Sequence, residues 1–166
     1  MKDTPESYTD DKGRIRWPEN DALAAKLKEL GEFLIVAGYE ESHAARYGRL
    51  AYSISRHPEP VSQLHAQGRL QSLDGVGPTV AGIIGEYLTS GTCKKFQEFE
   101  QYAPASVLEV SAIPGLGIRT VKELYHKHGI DSLRSLKRAM RDRTLEQAGV
   151  PRKALNTIEQ YLKTDG

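Results

Sequence analysis

Two short glycine turns are the residues of this chain best placed to do chemistry. Leu73-Asp74-Gly75-Val76-Gly77 is followed by Ala81 and Ile84, and Ile113-Pro114-Gly115-Leu116-Gly117 by Val121 and Leu124. A third copy, Ala148-Gly149-Val150-Pro151, is followed by Leu155 and Ile158 and carries Pro151 where the others have a second glycine. Counted from the first glycine, small or apolar residues fall at +1, +6 and +9 in all three. The last two offsets share one face of a helix that begins just after the turn. A tight turn between helices needs a residue at positive φ, and glycine supplies it without steric cost. The first N–H groups of the next helix have no intrahelical partner and sit at its positive end. An anion is accommodated there.

In the first hairpin the predicted donors are the N–H groups of Gly75, Gly77, Thr79 and Val80, because Pro78 has none. In the second they are those of Gly115, Gly117, Arg119 and Thr120. Thr79, Arg119, Thr120 and Lys122 add side-chain donors. Such contacts hold phosphates and carry no base information. The predicted chemistry is therefore salt-sensitive, sequence-independent binding of a phosphate backbone. Pro151 removes a donor, so the third copy reads as a structural turn.

Competing chemistries fail on spacing. Three residues after the second glycine stand Val80 and Thr120, where a dinucleotide fingerprint needs a third glycine. A Gly-x4-Gly-Lys-Ser/Thr loop is absent. His126 and His128 stand two apart on divergent helix faces, and with Lys127 and Gly129 they read as a helix end. Cys93 beside Lys94 and Lys95 reads as a packed thiol. As the chain's one cysteine, it excludes a disulfide framework and fits a reducing, cytoplasmic compartment.

The elements that must position these turns are helices. Leu23, Leu27, Leu30, Leu34 and Ala37 recur at helical spacing, with Asn20 or Asp21 as cap and Gly38 as stop. Ser42 is placed to cap a second helix that buries Ala44, Tyr47, Ala51 and Ile54. A short helix is predicted over Val61 to Ala66. No alternation of strand type has useful length. The fold class is all-α: tandem helix-hairpin-helix motifs in two small helical subdomains. The predicted divisions are a flexible polar arm over 1–19, a helical domain with the first hairpin over 20–101, and a second subdomain over 102–166.

The 166 residues are 39% hydrophobic and 27% charged, with a mean hydropathy of −0.52. No apolar run approaches the ~20 residues of a membrane span, so no membrane partner is expected. The net charge of +1 conceals an asymmetry. Residues 1–111 carry 12 Lys and Arg against 16 Asp and Glu, net −4, and residues 112–166 carry 11 against 6, net +5. The second half is biased toward anionic partners.

The order and spacing of several blocks resemble the amino-terminal DNA-binding part of the family X DNA polymerases, bacterial type. They run from Arg46-Tyr47-Gly48-Arg49-Leu50-Ala51 through Gly68-Arg69-Leu70, the first turn and Glu86-Tyr87-Leu88-Thr89-Ser90-Gly91. They continue through the second turn, Leu124-Tyr125, Gly129-Ile130 and Ser132-Leu133. The resemblance implies that the first hairpin grips the downstream strand of a gap near its 5′-phosphate and the second the primer side. Tyr47 and the Gly75–Val80 turn would then serve the downstream strand, and Gly115–Thr120 the other. His43 and Lys95 occupy phosphate-contact positions. The family's hairpins also bind a monovalent cation, Na+ or K+, through backbone carbonyls. Here these would be Gln71, Leu73 and Val76, then Ser111, Ile113 and Leu116. No other cofactor is implied.

The departures bear on activity. No two Asp stand two apart, so the family's metal-binding Asp-x-Asp pair is missing, and polymerisation by that mechanism is not expected. Some members are deoxyribose-phosphate lyases with a Schiff-base lysine, and that position is Ile83. The leading expectation is a cytoplasmic DNA-binding module for gapped or nicked DNA, or single-stranded/double-stranded junctions, in repair, nucleoid-associated if the protein is bacterial. The alternatives are an abasic-site lyase with a displaced lysine, and a protein-interaction scaffold that has lost DNA.

Overall fold

The computed structural model describes residues 6–165. Helix α1 (Pro18–Val36) buries Leu23, Leu27, Leu30 and Leu34 at the predicted spacing. It stops at Gly38, whose φ of +100° lets the Tyr39 N–H reach back to the Leu34 carbonyl at 2.8 Å. Then follow α2 (Glu41–Ser55), α3 (Val61–Ala66), a 3-10 turn (Leu70–Ser72) and α4 (Pro78–Ser90). The chain continues through α5 (Lys94–Phe99), α6 (Val107–Ser111), α7 (Ile118–His128), α8 (Leu133–Arg141), α9 (Thr144–Gln147) and α10 (Arg152–Asp165). Apart from one small hairpin, the described fold is all-α.

That hairpin lies in the segment expected to be an unstructured arm. Strands β1 (Tyr8–Thr9) and β2 (Ile15–Arg16) pair antiparallel, Tyr8 opposite Arg16. The Asp10 carboxylate organises the turn, accepting the N–H groups of Lys12 and Arg14, each at 2.9 Å. The Arg14 N–H above all, with Arg14's own charge, holds the Asp10 carboxyl down to about 2. Asp21 accepts from the Tyr8 hydroxyl and, at 2.8 Å, from Arg16. These local polar contacts have no apolar period, which is why a periodicity argument passes over them. Of the predicted arm, residues 1–5 lie outside the described residues.

Asn20 is buried inside α1 rather than capping it. Its Oδ1 accepts the Val61 N–H at 2.9 Å and its Nδ2 donates to the Glu59 carbonyl at 3.0 Å. Trp17 Nε1 donates to the Pro58 carbonyl at 2.9 Å. The first turn of α1 thus holds the Pro58–Val61 loop that leads into α3.

The chain divides into two compact units. The first is the chain up to Gly31 with Glu41–Glu98, and the second is Glu32–Glu40 with the chain from Phe99 on. The units interleave, where the sequence reading drew a single cut after residue 101. Phe33, Leu34, Ile35, Val36 and Ala37 are all buried, so the last turns of α1 are apolar all round. Within the second unit the Tyr39 ring meets Phe99 edge-on at 5.4 Å, and the carbonyl of Val36 lies 2.7 Å from His126 Nε2. In this unit α6 packs on α7 and α8, and α9 on α8 and α10.

Candidate nucleic-acid interface

The first two hairpins share one backbone. Gly75 and Gly115 have φ of +81° and +84°. The Val76 N–H donates to the Leu73 carbonyl at 3.1 Å, and the Leu116 N–H to that of Ile113 at 3.2 Å. The Ala81 and Val121 N–H groups close the first helical turn on the Gly77 and Gly117 carbonyls at 2.9 and 3.1 Å. Val76 and Ile84 in the first hairpin and Leu116, Val121 and Leu124 in the second are buried at the predicted offsets, whereas Ala81 is half-buried and its neighbour Val80 is buried in its place.

The two glycines of each turn have different reasons. The first needs positive φ, where a side chain costs about 1–2 kcal/mol. The second does not. Gly77 has φ −96° and Gly117 φ −67°, values open to any residue. A Cβ at either would meet nothing within 4 Å. The fold would accept alanine at Gly77 and Gly117, and what their lack of a side chain leaves open is the approach to the helix start. No side chain caps α4 or α7. The N–H groups of Gly75, Gly77, Thr79 and Val80 find no acceptor among the described residues, nor do those of Gly115, Gly117 and Thr120. Ile118 stands where the first hairpin has Pro78 and supplies an N–H that proline lacks.

The third hairpin keeps the left-handed glycine and loses the donors of the turn itself, whereas the N–H groups of Arg152, Lys153 and Ala154 at the start of α10 find no acceptor among the described residues. Gly149 has φ +84°, but its N–H is taken by the Glu146 carbonyl at 3.2 Å, and the Val150 N–H by that of Leu145 at 3.1 Å. Pro151 stands at the Gly117 position and has no N–H. Its turn lines a cleft with Thr120, Glu123, Lys127 and His128 of α7. The Thr120 side chain therefore borders the third hairpin.

Among the remaining predicted residues, Arg119 is exposed and Lys122, one turn further on, is half-buried. Thr79 is exposed at the start of α4, and Val80 is buried, offering only its N–H. Tyr47 is buried, as the helical spacing predicts, which corrects the strand contact implied by the resemblance: its side chain is 0% exposed and its hydroxyl finds no partner among the described residues. It packs beside Gly31, whose absent Cβ would sit 3.3 Å from the Tyr47 Cβ. The ring implied by resemblance to meet a strand is part of the core.

The side chains beside the first turn are Arg46 and Arg49, which line a cleft of about 440 Å³ with Leu50, Ser53, Asp74, Gly75 and Val80. Both arginines belong to the Arg46–Ala51 block that carries the resemblance, which implies no role for either. Their signal was spacing, since three residues apart on a helix are neighbours. His43, three residues before Arg46, is exposed on α2, and Lys95 is half-buried on α5. Neither lines this cleft. Ile83, at the lyase-lysine position, is buried in α4. Cys93 is 1% exposed, as a packed thiol should be. Among the described residues no group of three or more His, Cys, Asp or Glu could hold a metal, and no helix is long and apolar enough to cross a membrane.

Residues 18–93 match the family model of a helix-hairpin-helix domain. The chain is also similar to the DNA polymerase/3'-5' exonuclease PolX of Bacillus subtilis (strain 168), 22% identical over 141 residues. That segment is 84% of this chain and 24% of the relative, so the chain spans about a quarter of that protein's length.

Proposed function

We propose that this chain binds DNA without regard to sequence, through two hairpins whose backbone N–H groups hold phosphates. One observation carries the reading. Gly77 and Gly117 are glycines that the fold does not need, and each stands over a helix start with free donors. A ligand that must approach the backbone explains them, and a phosphate matches the donors and the dipole. The helix-hairpin-helix match and the similarity to a DNA polymerase support the same partner. Arg46 and Arg49 extend the first site with guanidinium forks suited to a phosphate.

The finer reading is recognition of gapped or nicked DNA in repair, in the cytoplasm at the nucleoid, with the downstream strand at the first hairpin and the primer side at the second. The chain holds no aspartates at Asp-x-Asp spacing, so we assign it binding and not polymerisation. A Na+ or K+ ion fits each turn. The Leu73 and Ile113 carbonyls each accept one N–H and keep a second lone pair. With Gln71, Val76, Ser111 and Leu116 they offer the hard oxygen ligands that such ions take.

Fluorescence anisotropy at two salt concentrations tests the reading. The probes are a 5′-phosphorylated gapped duplex, an intact duplex and a single strand. The gapped duplex should bind tightest, and its affinity should fall steeply with salt. Gly77→Ala and Gly117→Ala should weaken binding while leaving the melting temperature unchanged. Alanine variants that bind like the wild type would reduce the hairpins to connectors.

A further inference from the structure

We propose that the cationic face of α8 is a second nucleic-acid surface of the second unit, one that takes the sugar-phosphate backbone outside the hairpins. Arg134, Lys137, Arg138 and Arg141 stand at i, i+3, i+4 and i+7, so they share one helix face. All four are exposed, and together they line one open concavity. No carboxylate among the described residues pairs with Arg134, Lys137 or Arg138, and Arg141 Nε stands 3.9 Å from Asp142. Three cations elsewhere in the same unit are paired: Lys127 with Glu123 at 3.4 Å, Arg152 with Glu146 at 2.8 Å, Lys163 with Glu159 at 3.2 Å. Lys122, Arg143 and Lys153 have no carboxylate partner among the described residues, but only α8 sets four such cations on one face.

This arrangement works against the helix that carries it. Arg134 with Arg138, and Lys137 with Arg141, are like-charge pairs at i, i+4, which destabilise a helix. The helix dipole offsets only the charges in the last turn, Arg138 and Arg141. The helix is held in place regardless. Ser132 and Ser135 form a reciprocal capping box, and the Leu133 N–H donates to Glu109 of α6 at 2.9 Å. A polyanion would relieve the repulsion. Seven residues of helix span about 10 Å, which matches about three phosphates of one strand at ~3.4 Å along the axis. A lipid surface fits less well. The opposite face of α8, with Leu136 and Ala139, is buried and offers nothing apolar for insertion.

The test compares three proteins on intact duplexes of unrelated sequence over a salt series. They are the wild type, the Arg134→Gln/Lys137→Gln/Arg138→Gln variant, and the Gly77→Ala/Gly117→Ala variant. Glutamine keeps helix propensity close to that of lysine and arginine. The triple variant should lower the slope of log affinity against log salt by roughly 2–3 units on every sequence, with its helical circular dichroism intact. An unchanged slope overturns the proposal. So does loss of binding to phosphatidylserine vesicles with DNA binding intact, which would assign the face to membranes. In the wild type, the α8 amide resonances should shift when duplex is added, and unshifted resonances overturn the proposal even if the triple variant misfolds. The two readings fail separately. Wild-type binding by the glycine variant, with loss in the triple variant, would refute the hairpins and keep α8. The reverse would refute α8 alone.

Discussion

At the scale of single residues, glycines with the same appearance in the sequence do different work. Gly75→Ala forces a side chain into the left-handed region at φ +81° and should cost about 1–2 kcal/mol in chemical denaturation. Gly77→Ala should leave stability within about 0.5 kcal/mol of wild type, and its effect should appear in affinity. Tyr47→Phe separates burial from contact. Removing a buried hydroxyl without a partner should raise stability by up to about 1 kcal/mol and leave DNA affinity unchanged. A loss of affinity would place the ring against a strand after all. Asp10 gives a pH signature. Its folded pKa lies at about 2, below the ordinary 3.8, so it stabilises the hairpin above pH 3.8, and that contribution fades as pH falls through 2. The amide shifts of Lys12 and Arg14 in an acid titration should follow that window.

At the scale of elements, the caps and the helix starts decide what each helix can do. Helix α8 relies on its capping box because its own charges oppose it. Ser132→Ala should therefore cost about 0.5–2 kcal/mol and reduce helical signal. The helices that follow the hairpins start without side-chain caps, which leaves their first N–H groups available to an anion. Capping and anion binding compete for the same donors, so a serine at Gly117 should stabilise α7 modestly and weaken DNA binding. If the turns also hold a cation, replacing Na+ and K+ by tetramethylammonium at constant ionic strength should weaken binding. The same swap should leave the Gly77→Ala/Gly117→Ala variant less affected.

At the scale of the whole molecule, charge and topology set the behaviour. The net of +5 over residues 112–166 is concentrated on α8 and on the start of α7, whereas residues 1–111 are net −4. Steep salt dependence should therefore reside mainly in the second unit, and Arg119→Ala should lower the salt slope by roughly one unit on every sequence.

The amino-acid sequence by itself determined the helical class, the three turns with their offsets, the free donors at two of them, and the absence of a catalytic Asp pair. These are properties of periodicity, glycine stereochemistry and residue identity, all of them local in the chain. Tertiary structure alone decided the rest. It set Arg46 and Arg49 beside Gly75, made Asn20 a clamp on a loop some forty residues away, and gave the end of α1 to the second unit. The physical reason is that burial and pairing depend on which distant segments meet. A helical wheel shows which residues share a face, but not which face finds a partner.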